Sequence, residues 1–229
     1  MNNQIINGAG EVKYEWNSLN IYEVIQFIHW RPGFTVGDNK TIDNVWLYLR
    51  AYQDALVTTD LLDYGIPDFS HFSTWVCGIS NNRALAAGWN YHILRKARRS
   101  QHKAYELFFQ FIDEYKVSII TAEEVVLTKE NKEAAKSSGI IRTTIGSVNK
   151  KIDILEKRAC RIAIFKIGKS SSRWTVFLDK KDRLINSFFT DKTSEAYSNI
   201  KREFDINKKQ LRQLSVDQSV ELYKLCYKS

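Results

Sequence analysis

Residues 159–178 read ACRIAIFKIGKSSSRWTVFL, and this stretch decides the fold class. Two apolar runs rich in β-branched and aromatic residues, 159–167 and 173–178, flank a Gly-Lys-Ser-Ser-Ser turn, which is the pattern of a β-hairpin. Residues 184–189 have the same character and follow a second turn at 179–182. The sequence therefore predicts a small antiparallel sheet in the C-terminal half of the chain.

Further elements flank this hairpin. Residues 117–127 are rich enough in β-branched side chains for a strand, residues 129–138 form an exposed helix or a linker, and residues 145–158 have helical spacing. Helices are expected after the third strand over 193–204, with a capped start, and over 208–214 and 216–227. This half is therefore predicted to combine helices with the sheet.

The N-terminal half shows helical periodicity instead of alternation. Asn20 is placed to cap a first helix, residues 31–33 (Arg-Pro-Gly) end it, and Thr41 is placed to cap the next helix after a short loop. Apolar residues at three- and four-residue spacing predict five helices, over 20–30, 42–56, 68–77, 84–96 and 101–116. The predicted fold class is α+β, with an all-α N-terminal helical unit followed by a basic α+β unit with a small antiparallel sheet.

Charge and composition change near residue 118. Residues 1–118 hold 11 Lys and Arg against 12 Asp and Glu, a net charge of −1, whereas residues 119–229 hold 23 against 14, a net charge of +9. The first part also contains all four histidines and five of the six tryptophans. We therefore predict two domains, an aromatic-rich helical domain over 1–118 and a basic α+β domain over 119–229.

The composition is typical of a folded protein in a reducing compartment. The longest apolar stretches fall well short of the roughly 20 residues that cross a bilayer, and the first residues lack the pattern of a secretory signal. Cys77, Cys160 and Cys226 are widely spaced among apolar neighbours, as buried, reduced thiols are. We expect a cytoplasmic protein with no membrane partner.

No pattern typical of catalysis or cofactor binding stands out. Residues 168–170 (Gly-Lys-Ser) resemble the end of a phosphate-binding loop, but the first glycine of that motif is missing, so a hairpin turn is the better interpretation. The four histidines lack the spacing of metal ligands, and Cys77 has no base nearby in the sequence. We expect a binding protein with no catalytic residue, metal or cofactor; an enzyme with a site between the two domains is the weaker alternative.

Basic residues are interleaved with Phe165, Trp174 and Phe177 around the predicted hairpin. This pattern is typical of RNA or single-stranded DNA binding, and it is equally suited to binding an acidic surface of another protein. A third interpretation is a solvated basic face whose aromatic residues belong to the core. The candidate partner or nucleic-acid contacts in this half are Arg161, Lys166, Lys169, Arg173, Lys180 and Lys181. A basic run in the first half adds Arg95, Lys96, Arg98 and Arg99.

Turn and packing residues in the first half form a series of short motifs. They begin with Arg-Pro-Gly-Phe-Thr-Val-Gly over 31–37 and continue through Ala-Gly-Trp at 87–89 to the helix over 101–116. On these motifs, residues 29–115 resemble a family of small bacterial proteins described as immunity proteins of toxin systems. The family usually has Met-Tyr-Ile where residues 34–36 read Phe-Thr-Val. The positions that carry the resemblance are Arg31, Pro32, Gly33, Gly37, Trp75, Gly88 and Trp89.

The resemblance implies a function in protein binding. An immunity protein neutralises a cognate bacterial toxin by covering it in a one-to-one complex, and no catalytic residues come with the family. Arg31 is expected to hold loop carbonyls or a helix C-terminus. The alternative is a nucleic-acid-binding or regulatory protein that uses the basic C-terminal sheet, with an affinity that falls steeply as salt is added.

Overall fold

The computed structural model describes residues 3–6, 12–15, 19–57, 62–80, 87–138, 143–144, 151–152 and 159–227. The chain divides into two compact units. The first, here called the helical unit, comprises Met1–Phe72 and Ala87–Lys116; the second, the sheet unit, comprises Ser73–Ala86 and Val117–Ser229. The division at residue 117 lies beside the boundary that charge predicts, while the assignment of 73–86 to the sheet unit has no signal in composition.

Helices dominate the described residues before Val117. They are α1 (Ile21–Trp30), α2 (Pro32–Thr35), α3 (Ile42–Val57), α4 (Phe72–Ile79), α5 (Gly88–Lys96) and α6 (Gln101–Lys116). Two short strand pairs accompany them, antiparallel β1 (Asn3–Ile6) with β2 (Val12–Glu15) and parallel β3 (Leu19–Asn20) with β4 (Leu62–Asp63). The predicted helix over 101–116 is confirmed. The one predicted over 68–77 starts as a 3-10 turn, Phe69–His71, before α4, and residues 84–86 lie outside the described part.

Capping side chains begin the first long helices as predicted. The Asn20 Oδ1 accepts a hydrogen bond from the Tyr22 backbone N–H at 2.9 Å, and the Thr41 Oγ1 accepts one from the Asn44 N–H at 3.2 Å. The loop predicted between these helices is partly wrong, because α2 adds a helical turn whose first residue is Pro32, where a missing N–H carries no penalty. The left-handed turn falls at Gly37, with φ +77°, and not at Gly33.

Aromatic rings form the core of the helical unit. The ring of Phe72, fully buried, lies 5.3 Å from Phe69, 5.9 Å from Phe108 and 5.4 Å from Tyr115. Trp89 at the start of α5 stacks on Phe108 of α6 at 4.8 Å. Each such pair contributes roughly 0.5–1.5 kcal/mol beyond the burial of its area. Tight ring packing therefore holds these helices together.

A five-stranded antiparallel sheet forms the middle of the sheet unit. Its strands are β5 (Ile120–Val126), β8 (Arg161–Ile167), β9 (Arg173–Leu178), β10 (Leu184–Thr190) and β11 (Arg212–Gln213), and they lie in the order β10-β9-β8-β5-β11. The helices of this unit after residue 117 are α7 (Lys129–Ser138), α8 (Thr193–Phe204) and α9 (Val216–Tyr227). The predicted α+β class, the hairpin and the third strand are confirmed. The strand predicted over 117–127 is confirmed as β5, which pairs with β8, and the unpredicted strand β11 pairs with β5 at the edge of the sheet.

Both faces of this sheet are covered. Ile162 and Phe177 lie in one apolar cluster with Phe204 of α8. On the other face, Phe165 and Trp174 contact the ring of Tyr223 in α9, at 5.5 Å and 5.6 Å. A strand buried on both faces has no clean alternation of polar and apolar residues, which explains the mixed pattern along β8.

Three sequence predictions in this unit are wrong. Within the helix predicted over 145–158, Lys151–Ile152 form β7, paired with β6 (Thr143–Thr144), and the rest of that range lies outside the described residues. The helix predicted over 208–214 is a 3-10 turn, Lys208–Gln210, followed by β11. The start of α8 has no side-chain cap, because the N-cap residue is Lys192. Short elements of two or three residues carry no periodicity that could be recognised.

Candidate binding surfaces

The basic residues around the hairpin do not form one patch. Arg161 begins β8 and lies opposite Leu178, beside the turn that carries Lys180 and Lys181. Lys166, Lys169 and Arg173 lie near the other turn of the hairpin. A strand of six or seven residues separates these two groups by roughly 20 Å. Lys169, Lys180 and Lys181 are exposed and Lys166 is half-buried, so these four remain predicted contacts at two separate places.

The aromatic residues predicted to stack on bases belong to the core. Phe165, Trp174 and Phe177 are 1%, 5% and 3% exposed. Base stacking requires a ring face that a nucleotide can reach. Of the three interpretations of this pattern, the structure supports the solvated basic face whose aromatic residues belong to the core. The described sheet offers no stacking surface from these three rings.

Arg161 is engaged by carboxylates. Its Nη1 donates to the Oε2 of Glu124 at 3.0 Å, and its other terminal nitrogen pairs with Asp182. Glu124 is buried in β5 and also accepts from Arg212 of β11. Two cations thus face two carboxylates across the sheet, and a charge neutralised in this way adds little to binding of an external anion.

Arg173 is engaged by backbone carbonyls. Its Nη1 donates to the carbonyl oxygens of Ser170, Ser171 and Ser172 at 3.0, 3.2 and 2.8 Å. Burial lowers the pKa of Arg173, against the opposing effect of nearby Tyr197 and Glu123. This arginine therefore holds the turn between β8 and β9, and its predicted role as a partner contact competes with that structural role.

The basic run of the helical unit is arranged differently. Arg95, Arg98 and Arg99 line a surface pocket of about 830 Å³ together with Tyr91 and Leu94. All three arginines are exposed. None forms an ion pair or a side-chain hydrogen bond with another residue of the described ranges. Three of the four residues predicted from this run are thus brought to one site.

The fourth residue of the run, Lys96, lies elsewhere. Its Nζ is 5.1 Å from the centre of the Phe111 ring, at a distance typical of a cation–π contact. The interaction fixes the lysine against α6, so that it does not line the pocket.

The backbone at this pocket adopts an unusual conformation. Helix α5 ends with a hydrogen bond from the Arg99 N–H to the Leu94 carbonyl at 2.8 Å and one from the Arg98 N–H to the Arg95 carbonyl at 3.1 Å. This is the Schellman ending, whose left-handed residue is usually glycine. Here Arg98 and Arg99 have φ values of +53° and +63°, a conformation that costs roughly 1 kcal/mol or more for a residue with a Cβ.

Large aromatic side chains are exposed around the Arg-Pro-Gly turn. Phe27, Trp30 and Phe34 are 47%, 70% and 84% exposed. Arg31 is exposed too, and its guanidinium makes no hydrogen bond or ion pair with any residue that the structure describes. Within the described ranges the Arg31 side chain therefore holds no loop carbonyl, although Arg31 is the C-cap residue of α1 and so lies at a helix C-terminus as expected. Sequence reasoning missed the three aromatic residues as candidate contacts.

The remaining motif residues build the fold. Trp75 and Trp89 are 2% and 8% exposed, and Gly37 and Gly88 have φ values of +77° and +76° that glycine adopts without strain. Trp75 belongs to the sheet unit, whereas the other motif positions belong to the helical unit. Apart from Arg31, these motif positions therefore mark turns and packing.

The titratable residues of the described ranges show no metal-binding cluster, and burial shifts the pKa of several of them. No three His, Cys, Asp or Glu side chains among them lie close enough together to hold a metal ion. Burial raises the pKa of the Cys77 thiol to about 11 and that of Cys226 to about 12, so both stay protonated at neutral pH. Burial likewise lowers the pKa of His71 to about 3, which keeps its ring neutral.

Within the described ranges, no helix combines the length and the apolar character that crossing a bilayer requires. Comparison of the chain with protein-family models, curated proteins and solved structures finds no match. Two surfaces of the helical unit are therefore the candidate binding sites: the exposed aromatic residues and the arginine pocket.

Proposed function

We propose that this protein is an immunity protein that binds a cognate bacterial toxin and neutralises it by covering a functional surface. The observation that carries the proposal is the exposure of Phe27, Trp30 and Phe34 within eight residues of chain. Scattered exposed apolar residues are common, but large aromatic residues close together typically mark an interface. Trp, Tyr and Arg side chains supply most of the binding energy at protein interfaces.

The same segment indicates the chemistry of the partner. The exposed rings need an apolar groove in which they can leave water. Arg31, which is exposed beside Trp30 in the chain, needs a carboxylate on the partner. The toxin surface that fits is therefore apolar at its centre, with an acidic group at its edge.

Net charge restricts how such a toxin is inhibited. The chain carries a net charge of +8, so it is a poor mimic of the anionic backbone of a nucleic acid. A nuclease toxin would consequently be covered outside its phosphate-binding cleft. Tight one-to-one binding through apolar contacts should depend weakly on salt.

The test is protection in cells together with binding in solution. The chain should restore growth when it is co-expressed with the toxin-domain protein encoded beside it, and the two should co-purify in equal amounts. Trp30→Ala and Phe34→Ala should each weaken the complex by about 2 kcal/mol, or roughly thirtyfold in Kd. Calorimetry on purified proteins measures this effect.

A matched control separates the interface from general apolar exposure. Leu225 in α9 is 48% exposed, and Leu225→Ala should leave both protection and affinity unchanged. The proposal fails if the neighbouring protein is harmless without this chain, or if Leu225→Ala weakens the complex as much as Trp30→Ala does.

A further inference from the structure

We propose that the pocket lined by Tyr91, Leu94, Arg95, Arg98 and Arg99 binds a nucleotide through its phosphate group. The proposed toxin interface does not use this pocket, so the inference stands apart from the proposed function. Three observations carry it: the charge of the lining, the conformation of the backbone and the character of the walls.

The charge of the lining indicates an anion. Arg95, Arg98 and Arg99 share one pocket, and none has an ion pair with a described carboxylate. Each guanidinium offers five N–H donors and no acceptor. Three like charges in one concave site repel one another, and a bound anion converts that repulsion into charge-assisted hydrogen bonds.

The number of guanidinium groups favours phosphate over carboxylate. A terminal phosphate carries up to two negative charges on three oxygens, so three guanidinium groups can share it. A single carboxylate offers two oxygens and one charge, which leaves at least one arginine without compensation. The lining therefore matches a phosphate better than the side chain of an acidic protein.

The backbone conformation points to a role for the side chains themselves. Arg98 and Arg99 hold left-handed positions where glycine would be more stable. Neither side chain makes a hydrogen bond or an ion pair to another described residue that would offset this strain. Strained residues of this kind cluster at ligand-binding sites, and both arginines line the pocket.

The other walls fit the rest of a nucleotide. Tyr91 is 45% exposed, so one ring is accessible for stacking by a base, and Leu94 adds apolar surface. Stacking of a base on an aromatic side chain contributes roughly 1–3 kcal/mol. A volume of about 830 Å³ lies within the range of about 300–1,000 Å³ that is usual for small-molecule sites.

Calorimetric titration of the full chain at low salt tests the proposal. The probes are adenosine 5′-monophosphate, adenosine, inorganic phosphate and a polyglutamate peptide. We expect the nucleotide to bind, inorganic phosphate to bind more weakly, and adenosine to give no heat. No binding of the nucleotide at millimolar concentration, or tighter binding of polyglutamate than of the nucleotide, would overturn the proposal.

Variants connect the binding to the pocket. Arg98→Gly and Arg99→Gly keep the left-handed backbone and remove one guanidinium each, so the fold is preserved and affinity for the nucleotide should fall about tenfold or more. Tyr91→Leu should weaken binding of the nucleotide while leaving the affinity for inorganic phosphate unchanged. Lys209→Gln, which removes an exposed charge in the sheet unit, should change neither. Undiminished binding in the Arg98→Gly/Arg99→Gly double variant would also overturn the proposal.

A final pair of probes identifies the source of the phosphate. A short RNA with a 5′-phosphate is compared with the same RNA carrying a 5′-hydroxyl and with the mononucleotide. If the phosphorylated RNA binds more tightly than both, the site is assigned to a strand end. Equal binding of the mononucleotide and the phosphorylated RNA assigns it to a free nucleotide. Loss of nucleotide binding with intact toxin protection, or the reverse, separates this proposal from the proposed function.

Discussion

In the sheet unit Arg161 and Arg173 direct their donors to the protein itself, whereas in the helical unit Arg95, Arg98 and Arg99 face solvent around a pocket. The contrast runs against composition, because residues 119–229 carry a net charge of +9 and residues 1–118 a net charge of −1. Formal charge is therefore a poor guide to where an anion binds. What matters is whether a cation already has a partner within the fold.

The two units also differ in what stabilises them. Stacked and edge-on rings fill the helical unit around Phe72, while a charged network between Glu124, Arg161 and Arg212 crosses three strands of the sheet unit. Each unit should therefore respond to a different kind of substitution.

The largest effect is expected from the ring core. Phe72→Ala removes a fully buried ring that contacts Phe69, Phe108 and Tyr115, and should lower the free energy of unfolding by about 4 kcal/mol. Urea denaturation followed by circular dichroism measures the loss. Phe27→Ala, at a ring that is 47% exposed, should cost less than about 1 kcal/mol. Equal losses for the two variants would contradict the described core.

A smaller loss is expected from the charged network. Glu124→Gln removes the buried carboxylate that accepts from Arg161 and Arg212, and should destabilise the chain by about 3 kcal/mol because two cations lose their shared partner. Arg212 has a side chain that is 70% exposed, so Arg212→Gln should cost about 1 kcal/mol or less. Denaturation curves of both variants at the same ionic strength provide the comparison. A negligible effect of Glu124→Gln would mean that the network does not form.

Mild acid should act through the helical unit, since all four histidines lie in residues 1–118. Burial lowers the pKa of His71 from 6.5 to about 3, so the unfolded chain binds a proton at this residue that the folded chain rejects. The stability contributed by the neutral His71 ring is fully present above the pKa of the unfolded chain. It is lost as pH falls toward the pKa of the folded chain, by up to about 1.4 kcal/mol per pH unit.

Denaturation between about pH 7 and about pH 5 measures this slope, and His71→Gln should flatten it. Burial raises the pKa of Asp68, which contributes in the opposite sense at lower pH, so the more acidic range is a poorer test. An unchanged slope in His71→Gln would assign the pH dependence to another group.

The smallest effect has the opposite sign. Arg98→Gly relieves a left-handed backbone position at φ +53° and should raise the free energy of unfolding by about 1 kcal/mol. The matched variant Arg95→Gly lies inside α5 and should lower it by up to about 1 kcal/mol. Thermal denaturation of the pair resolves the difference in sign. A loss of stability in Arg98→Gly would contradict the described helix ending.

Local sequence patterns were sufficient to predict the long helices and the hairpin. They were insufficient to predict which distant strands pair in the sheet. The spacing of apolar residues identifies α6, the bounds predicted for α8 and α9 match the structure, and the Gly-Ser turn identifies the hairpin of β8 and β9. The pairing of β5 with β8 joins residues about forty positions apart, and no local pattern encodes such a contact.

The binding surfaces could be predicted in part. The basic run at 95–99 is visible in the sequence, but which of its members share a pocket depends on how α5 ends, and that ending uses Arg98 where glycine would be the usual signal. The exposure of Phe27 and Trp30 does have a signal in the sequence, because both residues lie off the stripe of Ile21, Ile25 and Ile28 that faces the core.

Chemical labelling of arginines tests the central contrast most directly. Phenylglyoxal modifies accessible guanidinium groups, and peptide mass mapping after short exposure of the native chain ranks the arginines by rate. We predict that Arg98 and Arg99 react early, while Arg161 and Arg173 react only after denaturation. Reaction of Arg161 and Arg173 at the rate of Arg98 would contradict this prediction, because the sheet unit would then offer the same available charge as the helical unit.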